Sequence, residues 1–513
     1  MFRIFKDKIL GKNSNTNQNY KLSKSIDKNI ALFKEIFKED ETIVYRNFES
    51  KSKDSIKFCI IFDKNLSKMS SINNYVIKPI TREELPNDMS SKKRIELLMS
   101  KILITCDNKL SSNINDSISH ILYGDSILLV DGVDQAVQIC TKEWHQRAID
   151  EPQAERAIRG PKEGFIESID VNYTLIRRKI RSPNLKFIFK EVGDKTKTRI
   201  CICYIDGLAS EKVLKELYKR LEEIHIDGVL ESGYIEELIK DSPLSPFKTI
   251  GNTERPDTVC AKILEGRIAL IVDGTPNVLT LPYIFLEYFQ VSEDYYTNFF
   301  YSSINRILKY LGFFISTSIP AIYVALTTFH QEMIPTPLLL SISASREGVP
   351  FPTIVEALFM LLSFEILREG GIRLPSTVGS AISFVGAVIL GEAAVSARFV
   401  SAPIVIIVAL TGISNFLLPK MLGALILIRI IFLILSAFLG LYGYIFGIIG
   451  LFIHLFSMRS FGYPYMLNID LIDDEEIKDT VIRAPWWLMH FRTKLIGSKN
   501  KERQKDYTIS RRE

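Results

Sequence analysis

Residues 350–416 (PFPTIVEALFMLLSFEILREGGIRLPSTVGSAISFVGAVILGEAAVSARFVSAPIVIIVALTGISNF) are apolar enough to enter a bilayer. They nevertheless carry Glu356, Glu365, Arg368, Glu369, Arg373, Glu392 and Arg398. A charge at the centre of a membrane helix costs roughly 2.5–3.5 kcal/mol on insertion scales, so such residues face protein or a wet cavity. A simple lipid anchor has no use for them. Two kinds of chemistry fit: a path for ions, or a polar contact between chains.

The spacing sorts these residues. On a helix over 353–369, Thr353, Glu356, Met360 and Ser363 share one stripe. That stripe is the candidate pore or gate, because rings of acidic side chains favour cations. A plainer account exists for Glu356: Thr353-x-x-Glu356 after a proline is the pattern of a capping box. Glu365 and Glu369 lie on the opposite side, with Arg368 adjacent. Together with Arg373 they read as an inter-subunit or interfacial ion network. Glu392, the lone acid of its apolar stretch, and Arg398 are candidates for the same network; near the end of its stretch Glu392 either snorkels or pairs with Arg398.

Elsewhere the sequence offers little catalytic chemistry. His120, His145 and His225 form no triad or ligand spacing, and no phosphate-loop, dinucleotide or nucleophile-elbow motif is present. None of the six cysteines makes a C-x-x-C pair. Cys201 and Cys203 alternate with Ile on a strand, so both point to one face and read as buried thiols in a reducing compartment. The expectation is a non-enzymatic protein with no metal and no cofactor. A second polar cluster lies at 142–187, where Arg159, Gly160 and Pro161 punctuate the chain and Arg177 and Arg178 close a helical pattern. The basic end reads as a solvated helix terminus, an inter-subunit contact, or a site for anionic lipid.

The elements that position these residues divide the chain in two. At 513 residues the chain is too long for one ordinary domain. The net charge of +5 is too small a basic excess to argue for nucleic acid. Residues 1–39 read as a disordered basic leader without the apolar core of a signal peptide. ILYGDSILLVDG (121–132) recurs as ILEGRIALIVDG (263–274): a helix end closed by Gly, a buried strand, then Asp-Gly, a strong hairpin signal. Asp131 and Asp273 are therefore turn residues. IKFCIIFDKNL (56–66) likewise echoes RICICYIDGLA (199–209). The soluble half is predicted to be two similar α/β subdomains, 40–140 and 185–283, joined by a helical linker, 141–184.

An all-α polytopic membrane domain is expected over 300–457. Residues 307–329 make a first span, about 20 residues being sufficient. Residues 354–367 either span or are broken. The run 421–457 is too long for one crossing and should be two spans hinged near Gly440 and Gly443. The count is five or six crossings. The basic soluble half and the basic tail, 458–513, place both ends in the cytoplasm, which favours the even number.

Three blocks resemble the A subunit of the GerA-type spore germinant receptors: 151–187 (EPQAERAIRGPKEGFIESIDVNYTLIRRKIRSPNLKF), 345–379 (SREGVPFPTIVEALFMLLSFEILREGGIRLPSTVG) and 477–494 (IKDTVIRAPWWLMHFRTK). The resemblance implies a multi-pass protein of the spore inner membrane that senses a nutrient germinant. It implies a transporter-like B subunit and a lipoprotein C subunit as partners, and an oligomeric channel of this chain whose opening releases cations. It also implies two α/β subdomains in the soluble half. The rival readings are a transporter or permease subunit, which would favour inverted repeats among the spans, and a membrane-anchored enzyme.

Overall fold

The computed structural model describes residues 22–51, 56–82, 95–99, 108–142, 155, 157–374, 386, 389–466, 479–489 and 492. The first unit runs α1 (Ile26–Ile36), β1 (Ile43–Glu49), β2 (Lys57–Asp63), β3 (Asn108–Ser111), α2 (Ile114–Leu122), β4 (Ser126–Val130) and β5 (Ala136–Ile139). Its sheet order is β1-β2-β4-β5-β3, antiparallel throughout. The central strands are apolar on both faces because both faces are covered. Successive side chains point to opposite sides. Phe58, Ile60 and Phe62 thus pack on Ile72, Val76 and Ile80, while Cys59 and Ile61 pack on Phe33 of α1 and Ile118 and Ile121 of α2.

The second unit repeats this arrangement. It comprises α3 (Ile169–Lys179), β6 (Leu185–Val192), β7 (Thr198–Ile205), α4 (Glu211–Glu222), α5 (Ser232–Ile239), β8 (Gly251–Thr253), α6 (Pro256–Leu264), β9 (Ile268–Val272) and β10 (Val278–Leu281). The order β6-β7-β9-β10-β8 is that of the first sheet, strand for strand. Cys201 and Cys203 share the face of β7 that packs under α3 and α6, and burial pushes both thiols well above their ordinary range.

The repeat is wider than expected at its start. The supposed leader, 1–39, contains α1, and the supposed linker, 141–184, contains α3; each belongs to its own unit. The Asp-Gly turns provide the physical reason. Oδ1 of Asp131 accepts from the Ile26 N–H at 3.2 Å, and Oδ1 of Asp273 accepts from the Ile169 N–H at 3.1 Å. Gly132 and Gly274, at φ 78° and 88°, donate to the Lys24 and Glu167 carbonyls. Each turn therefore satisfies an orphan N–H at a helix start, where negative charge is also favoured. Asn29 and Asn172 close the same loop in each copy, accepting from the N–H of Ser23 and Ile166 at 2.9 Å.

From 299 to 457 every described regular element is helical: α7 (Phe299–Thr328), α8 (Thr336–Arg346), α9 (Thr353–Arg373), a short helical stretch over 389–396, α10 (Ala402–Asn415) and α11 (Leu422–Ser457). Among the described residues, two helical stretches are long and apolar enough to cross a membrane, Phe299–Thr328 and Pro419–Ser457. The second is folded back on itself at Gly440, where φ 63° and ψ −142° interrupt the helix. Residues 432 and 444 of a straight helix would stand about 18 Å apart. Instead the rings of Phe432 and Tyr444 meet edge to face, 5.7 Å between centroids. Helix α9 is unbroken over its 21 residues, about 31 Å of helix, which settles the doubt over 354–367 in favour of continuity.

Candidate functional site: an arginine network among the apolar helices

Arg429 sits in the first arm of the α11 hairpin within LILIRIIFLIL and is fully buried. Apolar side chains surround its helix turn, so its five N–H groups need acceptors from elsewhere. Its Nε donates to the Ser316 carbonyl of α7 at 2.8 Å. Its Nη2 donates to Ser316 Oγ at 3.0 Å and to Asn415 Oδ1 of α10 at 2.8 Å. Its Nη1 stands 3.4 Å from Glu365 Oε1 of α9. Ser316 Oγ closes the ring by donating to the same Asn415 oxygen at 2.6 Å. One guanidinium thus joins four helices. Sequence reading passed over Arg429, although a lone arginine in an apolar run carries the same signal as the charges of 350–416.

Glu365 and Arg368 pair at 2.7 Å, and this pair borders a cavity of about 510 Å³ walled by Leu358, Leu362, Ile426 and Ile430. The expected ion network is therefore partly internal. Glu369 pairs with Arg373, also at 2.7 Å, but in the open. Glu392 and Arg398 are exposed and form no ion pair with each other among the described residues. Arg398 adopts φ 54° after the helical stretch and lies beside Gly348.

The stripe expected to line a path is turned into the chain's own helices. Thr353, Glu356 and Met360 are buried, and Ser363 is half-buried. Ala357, Met360 and Leu361 pack on Val324, Val400, Ile404 and Val408. The capping box is absent as well: Pro352 holds the N-cap position, which places Thr353 inside the helix. Glu356, fully buried, instead spans to α10, where Oε2 accepts from the Ser401 N–H at 2.8 Å. Arg346 stands 3.6 Å from its other oxygen.

Arg177 is a correction of another kind. Expected at a solvated helix end, an inter-subunit contact or an anionic-lipid site, it is fully buried between the two α/β units. It pairs with Asp40, lies 3.8 Å from Asp63, donates to Thr42 Oγ1 at 3.1 Å and stacks over Phe187 at 4.6 Å. Arg178 is partly exposed, 3.9 Å from Glu163. Gly160, at φ 134°, lies against the Tyr296 ring; Pro161 accepts from Arg255 at 3.1 Å, and the Arg159 N–H faces Glu293. These linker residues pack on the segment that leads into α7.

Two ionic knots hold the connector between the second unit and α7, one to the unit and one to α7. Glu287 binds both Lys262 and Arg267. Burial alone would raise its carboxyl, but the two cations outweigh that and hold it below the usual range. Lys262 has one carboxylate to share with Arg267, so burial pulls its ammonium down to about 8 despite Glu287. A cavity of about 160 Å³ opens beside them, lined by Thr258, Gln290, Tyr295 and Tyr296. In the second knot, Arg306 of α7 binds Asp294 at 2.9 Å and Asp479 at 2.8 Å. Among the described residues no group of acids, histidines and cysteines is arranged to hold a metal.

A family model described as Bacillus/Clostridium GerA spore germination protein matches residues 31–495. Spore germination protein KA of Bacillus subtilis strain 168 is 44% identical over 485 residues, 94% of this chain and 89% of the relative. Spore germination protein GerLA of Bacillus cereus is 36% identical, covering 86% of this chain and 89% of the relative. Among solved structures, the N-terminal domain of the A subunit of the Bacillus megaterium germinant receptor GerK3 is 34% identical. The match covers 52% of this chain and 99% of that one, at a TM-score of 0.43. With a match over this much of its length, the chain belongs to the GerA family of spore germination proteins.

Proposed function

We propose that this chain is the A subunit of a nutrient germinant receptor in the spore inner membrane, with both ends cytoplasmic, and that it answers germinant binding by releasing ions. It acts without enzymatic chemistry, as an oligomeric ligand-gated channel, alongside a transporter-like B subunit and a lipoprotein C subunit. The observation that carries the reading is the Arg429–Glu365 network. A guanidinium held by four apolar helices is expensive to bury, and it fixes their packing only while every partner stays in place. Such a joint suits helices with two arrangements, one closed and one conducting. The knot at Glu287 holds the connector after β10 to the second unit, and the knot at Arg306 holds α7 to the same connector, so a movement of that unit is passed to α7 through residues 285–298.

The transporter reading predicts coupled uptake rather than a gated leak. Purified receptor reconstituted in liposomes distinguishes the two. Germinant-dependent flux of monovalent cations supports the channel, stoichiometric uptake of germinant with an ion supports the permease, and neither supports a role in assembly alone. Arg429→Leu should abolish the gated flux; retention of normal gating would remove the network from the mechanism.

A further inference from the structure

The segment 479–489, in the tail expected on the cytoplasmic side, turns its polar and apolar groups the wrong way round for water. Arg483 is 3% exposed, and Ala484 is buried beside it. Val481, Ile482, Trp486, Trp487 and Leu488 are each 42–59% exposed. In water a large apolar patch of this kind marks a contact surface.

The segment is strapped along the start of α7. Asp479 pairs with Arg306, the Arg483 N–H donates to Ser303 Oγ at 3.2 Å, and Trp487 meets the Phe299 ring edge on at 5.9 Å. Helix α7 has the same inverted character. Arg306 is fully buried, whereas Phe300, Ile304, Ile307, Leu308 and Leu311 are exposed. The outward apolar strip of α7 and the Val481–Leu488 strip thus form one surface. With 30 residues, α7 is about 45 Å long and exceeds the roughly 30 Å hydrocarbon core, so its first turns stand at headgroup level. Tryptophan favours that level, with its ring in the acyl boundary and its N–H bonded. Trp486 Nε1 donates to the Tyr295 carbonyl at 3.3 Å.

We infer that residues 481–488 form an interfacial anchor that lays Trp486 and Trp487 into the headgroup region of the bilayer, beside the entry of α7. The anchor rests on the reading that α7 spans a membrane. It ties the tail to the bilayer surface and, through Asp479 and Arg306, to the span.

The chain has three tryptophans, so Trp144→Phe leaves Trp486 and Trp487 as the only indole reporters. Full-length Trp144→Phe protein is reconstituted into vesicles whose acyl chains are brominated near the headgroup or near the chain terminus. Vesicle flotation after alkaline washing first establishes membrane insertion; protein that washes off would refute the spanning reading itself. For inserted protein we expect emission to be lost with shallow bromines and lost less with deep ones. Emission quenched by aqueous iodide but by neither lipid overturns the anchor in favour of a free tail. Emission insensitive to iodide and to both lipids overturns it in favour of a protein contact. As a check in the native background, Trp486→Phe/Trp487→Phe should abolish the lipid-quenched component, and its persistence would also overturn the proposal.

Discussion

The backbone N–H of Ser401 donates to Oε2 of Glu356 at 2.8 Å, forty-five positions away in the chain. This bond ties the start of α9 to the start of α10, where Ser401 is the N-cap. Glu356→Gln keeps an oxygen for the Ser401 N–H and forfeits only the charge facing Arg346. Glu356→Ala leaves the N–H buried and unpaired, at a cost of about 1–3 kcal/mol. Receptor level and thermal stability should therefore fall with Ala and stay near wild type with Gln. Equal losses for both would show that the charge, rather than the bond, is what matters.

Arg177 joins the two α/β units through Asp40 and Asp63 of the first and Phe187 of the second. Removing one partner from a buried ion pair typically costs about 3–5 kcal/mol, because the other charge is stranded. Arg177→Met should lower the unfolding temperature of the purified protein markedly. Arg177→Lys should restore little, since an ammonium lacks the planar fork that reaches Asp40, Thr42 and the Leu185 carbonyl together. Adding Asp40→Asn to Arg177→Met should recover part of the loss, and strict additivity in that double variant would refute the coupling.

The parts of this protein that were legible in the sequence are those governed by local rules. The recurring ILxG and VDG pieces announce two copies because a left-handed glycine after a helix and an Asp-Gly after a buried strand each need one residue type. Both glycines, Gly124 and Gly266, do take positive φ, 98° and 94°. The break near Gly440 and Gly443 was legible from the length of the apolar run and the position of its glycines. Helix α1 was missed because its exposed side is as polar as a leader, and its Ser-Ile-Asp-x-Asn start matches that of α3 over too few residues to stand out. The role of Arg177 was out of reach for a different reason: Asp40 lies 137 positions away, and no local pattern encodes such a pair. Glu356 shows how spacing misleads, since Thr353-x-x-Glu356 fits a capping box and yet the N-cap lies one residue earlier, at Pro352, with Thr353 already inside the helix.

Lys262 gives the joint between the second unit and the connector that leads to α7 a pH dependence of definite sign. Burial lowers its folded-state value from the ordinary 10.5 to about 8. Between those limits the unfolded chain holds the proton and the folded chain releases it, so stability rises with pH across that window. Below about 8 both states are protonated and the burial penalty is constant. Lys262→Met removes this contribution. Denaturation of wild type and variant in parallel should give a difference that is flat below pH 8 and shifts toward wild type above it. Curves that stay parallel to pH 10 would mean that Lys262 is not buried in its charged form.

Gly440 reverses the α11 hairpin, and its surroundings place the turn beside the end of α7. A Cβ at this position would meet the His330 ring at 2.7 Å and Phe329 at 3.0 Å, just beyond the end of α7. His330 and Tyr442 have ring centroids 6.0 Å apart. The opposite end of the hairpin returns to the second α/β unit, where His454 Nε2 lies 2.9 Å from Ser245 Oγ. Gly440→Ala should therefore be costly twice over: φ 63° with ψ −142° is glycine territory, worth about 1–3 kcal/mol, and the methyl has no room. A sharp drop in assembled receptor is expected. The same contacts make a topological prediction: thiols introduced at Gln331 and Tyr442 should react together with a membrane-impermeant reagent added outside, while one placed in 495–513 should not. All six native cysteines precede residue 261, so their background stays with the α/β units. Labelling of Gln331 and Tyr442 from opposite faces would break the hairpin assignment, and labelling of the tail from outside would invert the protein in its membrane.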